Sequence, residues 1–395
     1  MSGPGPAVEG PGLYVHVPFC ARACPYCDFD FVVGQDAGLE ARIETWVHGL
    51  DRELELRRAE LSSLRRANAV IDTLYFGGGT PSLVSPVTLG RVLSSFEQEL
   101  GVEPSALREF TLECNPEHVE AAYLDGLVEL GVDRISLGVQ SLSREGLRQL
   151  GRVHDVDQAL AAVAACVERS LRTTVDLIVG WPGQDEAGLR AEIEQLVTAG
   201  VEHLSIYSLT IEPDTPWPKL VRRGLRVLPN EDTQADLLLV AAEVLERLGF
   251  VHYEVASYAR PGAEAVHNGK YWRWADVIAL GPSAASVAHA PGRVSRSINP
   301  RGLESWLAGA AVEREQLTGD KAAAEGLWLG LRRLDGLEIA RFSSRFAVDG
   351  AWIDDRIARQ IELGNLVWSE GRERLGIAAD RWLWHDSVAL ALLEG

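Results

Sequence analysis

The chain has 395 residues, 46% of them hydrophobic, and a formal net charge of −19. This length allows one large domain of roughly 250–300 residues plus a smaller one. The acidic surface argues against nucleic acid and anionic membranes as general partners, but it leaves room for a local basic pocket.

The five cysteines are an odd number in a long chain, which is not the pattern of a secreted disulfide scaffold. The first twelve residues, MSGPGPAVEGPG, lack the basic and apolar regions of a signal peptide. No run of about 20 uncharged apolar residues predicts a membrane span. Together these features predict a cytoplasmic protein with reduced thiols.

Six β-rich runs alternate with amphipathic segments over the N-terminal half. The predicted strands are Leu13–Val17, Val70–Phe76, Glu109–Glu113, Asp133–Gly138, Arg172–Val179 and Glu202–Leu209. The predicted helices are Leu39–Arg66, Pro86–Leu100, Val119–Leu130, Val156–Ser170 and Glu186–Ala199. Such alternation predicts βα units and a parallel sheet, which periodicity alone allows to be a partial barrel or a doubly wound sheet.

Three cysteines follow the first predicted strand with the spacing C-x3-C-x2-C: Cys20, Cys24 and Cys27. Three thiolates can hold three irons of a cubane 4Fe–4S cluster and leave the fourth iron open to a small molecule. A disulfide, a zinc site or a chance grouping explains the same short pattern. The cysteines alone therefore leave the kind of site open.

Glycine and polar residues also lie at the ends of the other predicted strands, where barrels collect their chemistry. They are Gly77–Pro81 (GGGTP), Glu113–Pro116, Gln140, Arg152 and, inside the fifth strand, Asp176. Glycines let a backbone approach a ligand closely, but a tight strand-to-helix turn is the better explanation of GGGTP taken alone. A structural salt bridge explains any one charged residue, but the ordered set indicates one shared site.

The last part of the chain changes character. Helices are predicted at Asp320–Arg333, Leu337–Phe346 and Trp352–Leu363, a hairpin at Leu366–Glu370 and Arg374–Ala378, and a last helix from about Ser387. Helices followed by a hairpin indicate a winged-helix-like module. It has no basic stripe, so nucleic acid is not an expected partner.

The motifs together resemble the radical S-adenosylmethionine (radical SAM) enzymes. Beside the cysteine run and GGGTP they are LECNP (Leu112–Pro116), LGVQS (Leu137–Ser141), LGRVH (Leu150–His154) and DLIVGWPGQ (Asp176–Gln184). Within that family the chain resembles the branch of oxygen-independent coproporphyrinogen III dehydrogenase and the HemW-type heme chaperones. The resemblance implies an α/β fold: a partial (β/α)6 radical SAM barrel, then a smaller α+β C-terminal domain with the winged-helix-like module.

The resemblance also implies a cofactor site. Cys20, Cys24 and Cys27 would ligate the cluster, and SAM would bind its open iron. Tyr14 would lie near the cluster, and Gly78, Gly79 and Thr80 would contact the methionine end of SAM. Its carboxylate and ribose would be held by Glu113, Gln140, Arg152 and Asp176. Reduction of SAM by the cluster would give methionine and a 5′-deoxyadenosyl radical.

Two features place the chain nearer the chaperones than the dehydrogenases. The dehydrogenases have a fourth cysteine two residues after the third, where this chain has Phe29. The run H-N-x-x-Y-W, formed by His267, Asn268, Tyr271 and Trp272, resembles the heme-binding signature of the chaperones. Imidazole is a good heme ligand, and the aromatic pair offers flat surfaces for a porphyrin. A surface loop packed on the core is the structural alternative.

The expected function is therefore heme binding and transfer, with heme as cargo. The resemblance implies a heme acceptor such as a membrane respiratory protein, an electron donor of the flavodoxin or ferredoxin type, and possible homodimers. Membrane contact would come only through a partner. The alternative is a radical SAM enzyme that decarboxylates coproporphyrinogen III, or methylates or cyclopropanates another substrate.

The expected division of the chain has four parts. They are a flexible N-terminus (1–12), the radical SAM barrel (13–220), a linking segment with the heme-binding-like loop (221–315) and the C-terminal domain (316–395).

Overall fold

One twelve-stranded sheet organises most of the computed structural model, which describes residues 9–34, 38–61, 70–227 and 230–394. In chain order, the strands up to residue 318 are β1 (Gly12–Val17), β2 (Phe19–Cys20), β3 (Val32–Val33), β4 (Thr73–Gly78), β5 (Glu109–Cys114), β6 (Arg134–Gln140), β7 (Arg172–Val179), β8 (His203–Ser208), β9 (Val251–Glu254), β10 (Ser257–Ala259), β11 (Val277–Leu280), β12 (Ala285–Ala290), β13 (Arg293–Ile298) and β14 (Glu313–Thr318). The strands β2 and β3 form a small sheet of their own in the cysteine loop.

The helices over the same part of the chain are α1 (Gly38–Leu56), α2 (Pro86–Leu100), α3 (Ala121–Glu129), α4 (Arg144–Leu150), α5 (Val156–Glu168), α6 (Glu186–Thr198), α7 (Trp217–Arg222), α8 (Glu231–Arg247), α9 (Val266–Trp272) and α10 (Leu303–Leu307). Several begin at capping residues that the sequence displays. Ser85, Asp155 and Asp185 each accept a hydrogen bond from a backbone N–H in the first turn of α2, α5 and α6. These caps fix where the helices start.

The centre of the sheet is parallel, as expected. Strands β1, β4, β5, β6, β7 and β8 lie side by side in chain order, and helices connect them. In the described part of the chain the two ends of the sheet do not pair with each other, so the barrel is partial. The predicted partial (β/α)6 barrel is confirmed, and the doubly wound alternative is wrong.

The segment after the barrel extends the same sheet at both edges. Strand β11 pairs parallel to β1, and β12, β13 and β14 continue antiparallel beyond it. At the other edge β10 pairs antiparallel to β8, and β9 pairs to β10. The four-part division of the chain stays a prediction. Its N-terminal part falls outside the described residues up to residue 8, whereas Glu9 forms an ion pair with Arg273.

Residues along the barrel strands alternate between two environments. In β1, Leu13, Val15 and Val17 are fully buried in the main hydrophobic core, where the helices cover the sheet. The alternating residues Tyr14 and His16 lie on the other face, and Tyr14 stacks against Tyr75 of β4 with 6.0 Å between ring centroids. Successive strand residues point to opposite faces, so this alternation leaves the inner face for polar groups.

A second core builds the C-terminal module, whose elements are α11 (Asp320–Gly330), β15 (Leu337–Glu338), α12 (Ile339–Phe346), α13 (Gly350–Glu362), β16 (Leu366–Trp368), β17 (Arg374–Ile377) and α14 (His385–Glu394). The three strands pair antiparallel in the order β15-β17-β16, as in a winged helix. Several predicted boundaries differ from the structure; the helix predicted from Leu337 starts at Ile339, because Leu337 pairs with Leu375 in this sheet. Among the described residues no helix is long and apolar enough to span a bilayer.

The base of the barrel is closed by a buried ion pair. Arg134 donates to the Glu109 carboxylate at 2.9 Å, and their side chains are only 2% and 1% exposed. We expect Glu109→Gln to lower the free energy of unfolding by about 3–5 kcal/mol, because the guanidinium stays buried without its counter-ion. The measurement is urea unfolding of both proteins.

The matched control for that measurement is Glu362→Gln. Glu362 pairs with Arg359 on the surface, and their side chains are 69% and 72% exposed. This exposed pair should change the free energy of unfolding by at most about 1 kcal/mol. Equal losses in the two variants would contradict the role given to the buried pair.

Candidate functional site

A cavity of about 440 Å³ runs from the cysteine loop into the barrel and down to its base. Among the residues expected to bind cluster or SAM, those that line it are Cys20, Cys24, Cys27, Gly78, Gly79, Thr80, Glu113, Gln140, Arg152 and Asp176. Of the expected heme residues only Asn268 reaches the cavity, at its base. Tyr14, His267, Tyr271 and Trp272 are not part of the lining.

The three cysteines of the loop are free thiols that lie close enough to affect one another's ionisation. Burial raises the pKa of Cys20 to about 11, the neighbouring cysteines add to this, and a hydrogen bond from Thr80 opposes it. Among the described residues no three His, Cys, Asp or Glu side chains converge on a single metal ion. A cubane 4Fe–4S cluster takes each thiolate on a different iron, so the three thiols of this loop could bind three of its irons.

The glycine loop Gly77–Gly79 is shaped by the protein itself. Gly78 has a φ of +110°, and a Cβ there would lie 2.5 Å from the His16 ring. A Cβ on Gly79 would lie 2.6 Å from the backbone oxygen of Phe19. Close packing of this turn against the end of β1 therefore requires glycine at both positions, and the same packing brings Thr80 to 3.5 Å from the Cys20 sulfur.

Two carboxyl groups are buried in the cavity wall. Glu113 accepts hydrogen bonds from the Tyr75 hydroxyl at 2.7 Å and from the Gly78 N–H at 3.0 Å. Burial nonetheless raises the pKa of Glu113 to about 7. Burial likewise raises the pKa of Asp176 to about 6, although Ser205 and Ser136 donate hydrogen bonds to it. A cationic ligand with hydroxyl groups would stabilise the ionised form of both.

Arg152 lies between the carboxylates and the cysteines. Its guanidinium donates to the Cys24 sulfur at 3.4 Å, to Asn115 Oδ1 at 2.6 Å and to the Gly138 carbonyl at 2.8 Å. Its Nε–H is buried and has no hydrogen-bond partner among the described residues. Gln140, at the end of β6, has a φ of +69°, an unusual conformation for a residue with a side chain. A carboxylate-bearing ligand would satisfy the Arg152 donor.

The HNxxYW motif lies at the opposite end of the barrel from the cysteines. His267 is 1% exposed, and its Nδ1 lies 2.9 Å from the hydroxyl of Thr73 at the start of β4. Its Nε2 is buried and has no partner within the described part of the chain, and burial lowers the pKa of His267 to about 3. Tyr271 packs edge-on against the His267 ring. The guanidinium of Arg332 lies over the Trp272 ring, 4.3 Å from its centroid.

The segment expected to be a loop is the helix α9. Its sequence offers no capping side chain, since the residue before it is Ala265. The cap comes instead from Glu109, whose carboxylate accepts the backbone N–H groups of Val266 and His267 at 2.9 and 2.8 Å. A carboxylate at a helix N-terminus stabilises the helix, and here it lies more than 150 residues away in the chain.

The sequence analysis missed several residues of the cavity wall. They are Tyr26, Tyr75, Thr111, Ser136, Thr174, His203, Ser205 and Tyr207. A signal for most of them was available: they alternate with apolar residues along β4 to β8. Parallel strands that helices cover on both faces have continuous apolar sequences. Strands in which polar and apolar residues alternate therefore have one face toward the interior of the barrel.

The Glu113 carboxyl should make the stability of the cofactor-free protein depend on pH. Its pKa is near 4.5 when unfolded and about 7 when folded, so folding takes up a proton between these values. Stability contributed by this group is therefore lost as pH rises through that window. From pH 5 to pH 8, Glu113→Gln should gain about 2–3 kcal/mol of unfolding free energy relative to the parent.

Urea unfolding of parent and variant at both pH values measures this difference. Glu129→Gln on the exposed side of α3 is the control, and its difference from the parent should stay constant. The Asp176 carboxyl titrates in all three proteins and interacts with Glu113, so the loss of this interaction in Glu113→Gln forms part of the measured difference. A Glu113→Gln difference that is equal at pH 5 and pH 8 would refute the assignment.

Comparison with known proteins identifies the barrel. The family model described as the radical SAM superfamily matches residues 14–197. The solved structure of coproporphyrinogen III oxidase (HemN) from Escherichia coli superposes with a TM-score of 0.80 at 20% identity, and the match covers 97% of this chain and 90% of that one. This likeness shows that the fold is shared, including the C-terminal module.

Sequence relatives extend over nearly the whole chain. The heme chaperone HemW of Synechocystis sp. is 34% identical over 367 residues, which are 90% of this chain and 85% of the relative. HemW of Mycobacterium tuberculosis is 35% identical over 84% of each chain. The mitochondrial radical S-adenosyl methionine domain-containing protein 1 of Danio rerio is 37% identical over 77% of this chain and 67% of the relative. The chain therefore belongs to the radical SAM superfamily and, within it, to the HemW family.

Proposed function

We propose that this protein is a heme chaperone, which binds heme, holds a 4Fe–4S cluster with SAM, and passes heme to an acceptor protein. The observation that carries the proposal is the similarity to proteins named heme chaperone HemW over 90% of the chain. Membership of the radical SAM superfamily implies the cluster and SAM. The barrel cavity, with three thiols at one end and two buried carboxyls in its wall, fits both groups.

The cofactors would be held as the sequence pattern indicates. Cys20, Cys24 and Cys27 would bind the cluster, with Tyr14 near it, and Gly78, Gly79 and Thr80 would hold the methionine end of SAM. Glu113, Gln140, Arg152 and Asp176 would hold its carboxylate and ribose. When bound, the cluster and SAM supply one-electron cleavage of the sulfonium.

The chain's own residues prepare this site for a polar cation. The raised pKa values of Glu113 and Asp176 mean that both carboxyls gain from a positive neighbour. The Nε–H of Arg152, which has no partner among residues 9–34, 38–61, 70–227 and 230–394, gives a carboxylate ligand one donor. The helices that cover the sheet exclude water from the outer side, which strengthens each of these interactions.

Heme would bind through α9, with the imidazole of His267 as the iron ligand and Asn268, Tyr271 and Trp272 around the porphyrin. Two observations support this. No described residue bonds to the Nε2 of His267, and the lowered pKa keeps the ring in the neutral form that ligates iron. Because His267 is only 1% exposed, heme can reach it only if α9 leaves the base of the barrel.

The partners would follow from this function. An acceptor such as a membrane respiratory protein would receive the heme, and a flavodoxin or ferredoxin would reduce the cluster. The protein would be cytoplasmic, reaching the membrane through its acceptor, and transfer would involve homodimers. The net charge of −19 suits a basic donor or acceptor surface.

A second candidate function is favoured by the complete cavity. Every residue expected to contact SAM except Tyr14 lines the cavity. Such a complete set of residues would be needed by a protein that cleaves SAM. The protein would then be a radical SAM enzyme that decarboxylates coproporphyrinogen III, or methylates or cyclopropanates another substrate. Phe29, 59% exposed beside the cysteines, replaces the fourth cysteine of the dehydrogenases and argues against the decarboxylation.

Heme ligation by α9 predicts the outcome of a hemin titration. Anaerobically reconstituted protein should give a saturable Soret shift, and His267→Ala should weaken hemin binding at least tenfold because the axial ligand is lost. His48→Ala, on the exposed side of α1, is the control and should bind like the parent. Equal hemin affinity in His267→Ala would refute ligation by this residue.

A second measurement separates ligation from loss of structure. Hydrogen–deuterium exchange of residues 266–272 should rise on addition of hemin to the parent, because α9 must leave the barrel to expose His267. The same segment should exchange slowly without hemin, since Glu109 and Thr73 hold it. Unchanged exchange in saturated protein would place the heme elsewhere.

Turnover distinguishes the two functions. Anaerobic incubation with SAM, a reductant and coproporphyrinogen III should yield no protoporphyrinogen, while Escherichia coli HemN in the same assay should produce it. Protoporphyrinogen from this protein would contradict a chaperone without enzymatic activity. Substrate-dependent release of 5′-deoxyadenosine without protoporphyrinogen would indicate another substrate.

A further inference from the structure

Asn115 occupies a position between two cysteines of the proposed cluster site. It is the first residue after β5, and its backbone N–H donates to the Ser82 hydroxyl at 3.2 Å. Its side-chain oxygen accepts a hydrogen bond from Arg152 at 2.6 Å. Its side-chain nitrogen lies 3.5 Å from the Thr80 hydroxyl oxygen, to which it donates. One amide therefore joins Thr80, which follows β4, to Arg152, which follows α4.

Each of those two side chains contacts a different cysteine. Arg152 donates to the Cys24 sulfur at 3.4 Å, and the Thr80 hydroxyl donates to the Cys20 sulfur at 3.5 Å. The contacts form one chain in the order Cys24, Arg152, Asn115, Thr80, Cys20. Cys20 and Cys24 are four residues apart in the cysteine loop. Among the described contacts, only the Asn115 amide directly links Thr80, which contacts Cys20, to Arg152, which contacts Cys24.

The Asn115 amide orients both neighbours, Thr80 through its nitrogen and Arg152 through its oxygen. A hydroxyl that accepts from Asn115 has its hydrogen left for the sulfur, so the amide sets the direction of the Thr80 O–H. The oxygen of Asn115 fixes one end of the Arg152 guanidinium, whose other anchor is the Gly138 carbonyl. Without the amide, Thr80 can rotate away from Cys20, and Arg152 keeps a single anchor.

Hydrogen bonds to the sulfurs matter for the charge that a cluster carries. N–H and O–H donors stabilise thiolate ligands, and they stabilise the reduced cluster more because it is more negative. Hydrogen bonds to sulfur are among the factors that set the potential of iron–sulfur clusters. Two of the three cysteine ligands each accept one hydrogen bond, and one neutral side chain orients both donors. These two hydrogen bonds therefore raise the reduction potential of the cluster.

We infer that Asn115 is a positioning residue that orients the donors to Cys20 and Cys24 and thereby raises the reduction potential of the cluster. The inference rests on the proposed cluster at Cys20, Cys24 and Cys27. It assigns to Asn115 no contact with SAM or heme. The expected effect is on the reduction potential, so it can be measured separately from the iron content of the protein.

The test is an anaerobic redox titration of the reconstituted full-length protein, followed by the electron paramagnetic resonance signal of the reduced cluster. Asn115→Ala should make cluster reduction about tenfold less favourable, a fall of about 59 mV for one electron. Asn115→Asp keeps the acceptor for Arg152 but loses the donor to Thr80 and adds negative charge, so its potential should also fall.

A double-mutant comparison checks the route. In a Thr80→Val background, Asn115→Ala should have a smaller effect than in the parent, because one of its two arms is already absent. The control is Asn365→Ala, whose amide donates to Gln360 at 2.8 Å in the C-terminal module. Its cluster should titrate at the potential of the parent.

Iron and sulfide analysis distinguishes the possible failures. A parent protein that holds no cluster would contradict the proposed function itself. A parent and an Asn115→Ala variant with equal iron content and equal potential would overturn the inference and leave the proposed function standing. If Asn115→Ala loses iron, Asn115→Asp decides in its place, and an unchanged potential there overturns the inference.

Discussion

The structure depends on one constraint, which is that a parallel sheet covered by helices must also carry polar groups on its inner face. Two carboxyls, Glu113 and Asp176, are the costliest of these groups, because burial favours their neutral forms. Hydroxyls of neighbouring strands offset part of that cost. Tyr75 donates to Glu113 from β4, and Ser136 donates to Asp176 from β6. The order of the strands therefore places a hydrogen-bond donor beside each carboxyl, and in this way the sheet determines the positions of the site residues.

The base of the barrel solves the same problem in a different way. There Arg134 makes four hydrogen bonds within the protein: it donates to Glu109, Thr174 and the carbonyls of Ala263 and Glu264. Glu109 in turn caps α9, so one ion pair closes the sheet and positions the helix that carries the HNxxYW motif. The charges at the base are satisfied within the chain, whereas those near the cysteines leave donors and acceptors for a ligand.

The sequence predicted the elements whose signals are local. Pro86–Leu100 was predicted to the residue because Ser85 precedes it and Gly101 follows it. What failed depended on distant partners. Strand β11 is four residues long, and only its pairing with β1, more than 260 residues away, makes it part of the barrel sheet. The helix α9 was expected to be a loop because its cap, Glu109, lies in another strand.

The candidate site divided in the same way. The cysteine run, GGGTP and the polar strand ends could be read from the sequence because each is a contiguous motif. Asn115 stood inside one of those motifs, LECNP, yet its partners Thr80 and Arg152 are 35 and 37 residues away in opposite directions. The burial of His267 was equally invisible, since it follows from Thr73 and Tyr75 of β4.

The two ends of the barrel are joined by contacts that give the proposed heme site a mechanical consequence. His267 lies against the Tyr75 ring, with 5.1 Å between centroids, and the Tyr75 hydroxyl donates to Glu113. Glu113 also accepts the N–H of Gly78, in the loop that carries Thr80 to Cys20. If heme displaces α9, Tyr75 keeps its contact with Tyr14 but loses its contact with His267, and the donor to Glu113 becomes less constrained. Heme bound at the base and SAM bound near the cysteines would then act on the same carboxyl, which is a physical reason for a heme-transfer protein to keep an intact SAM site.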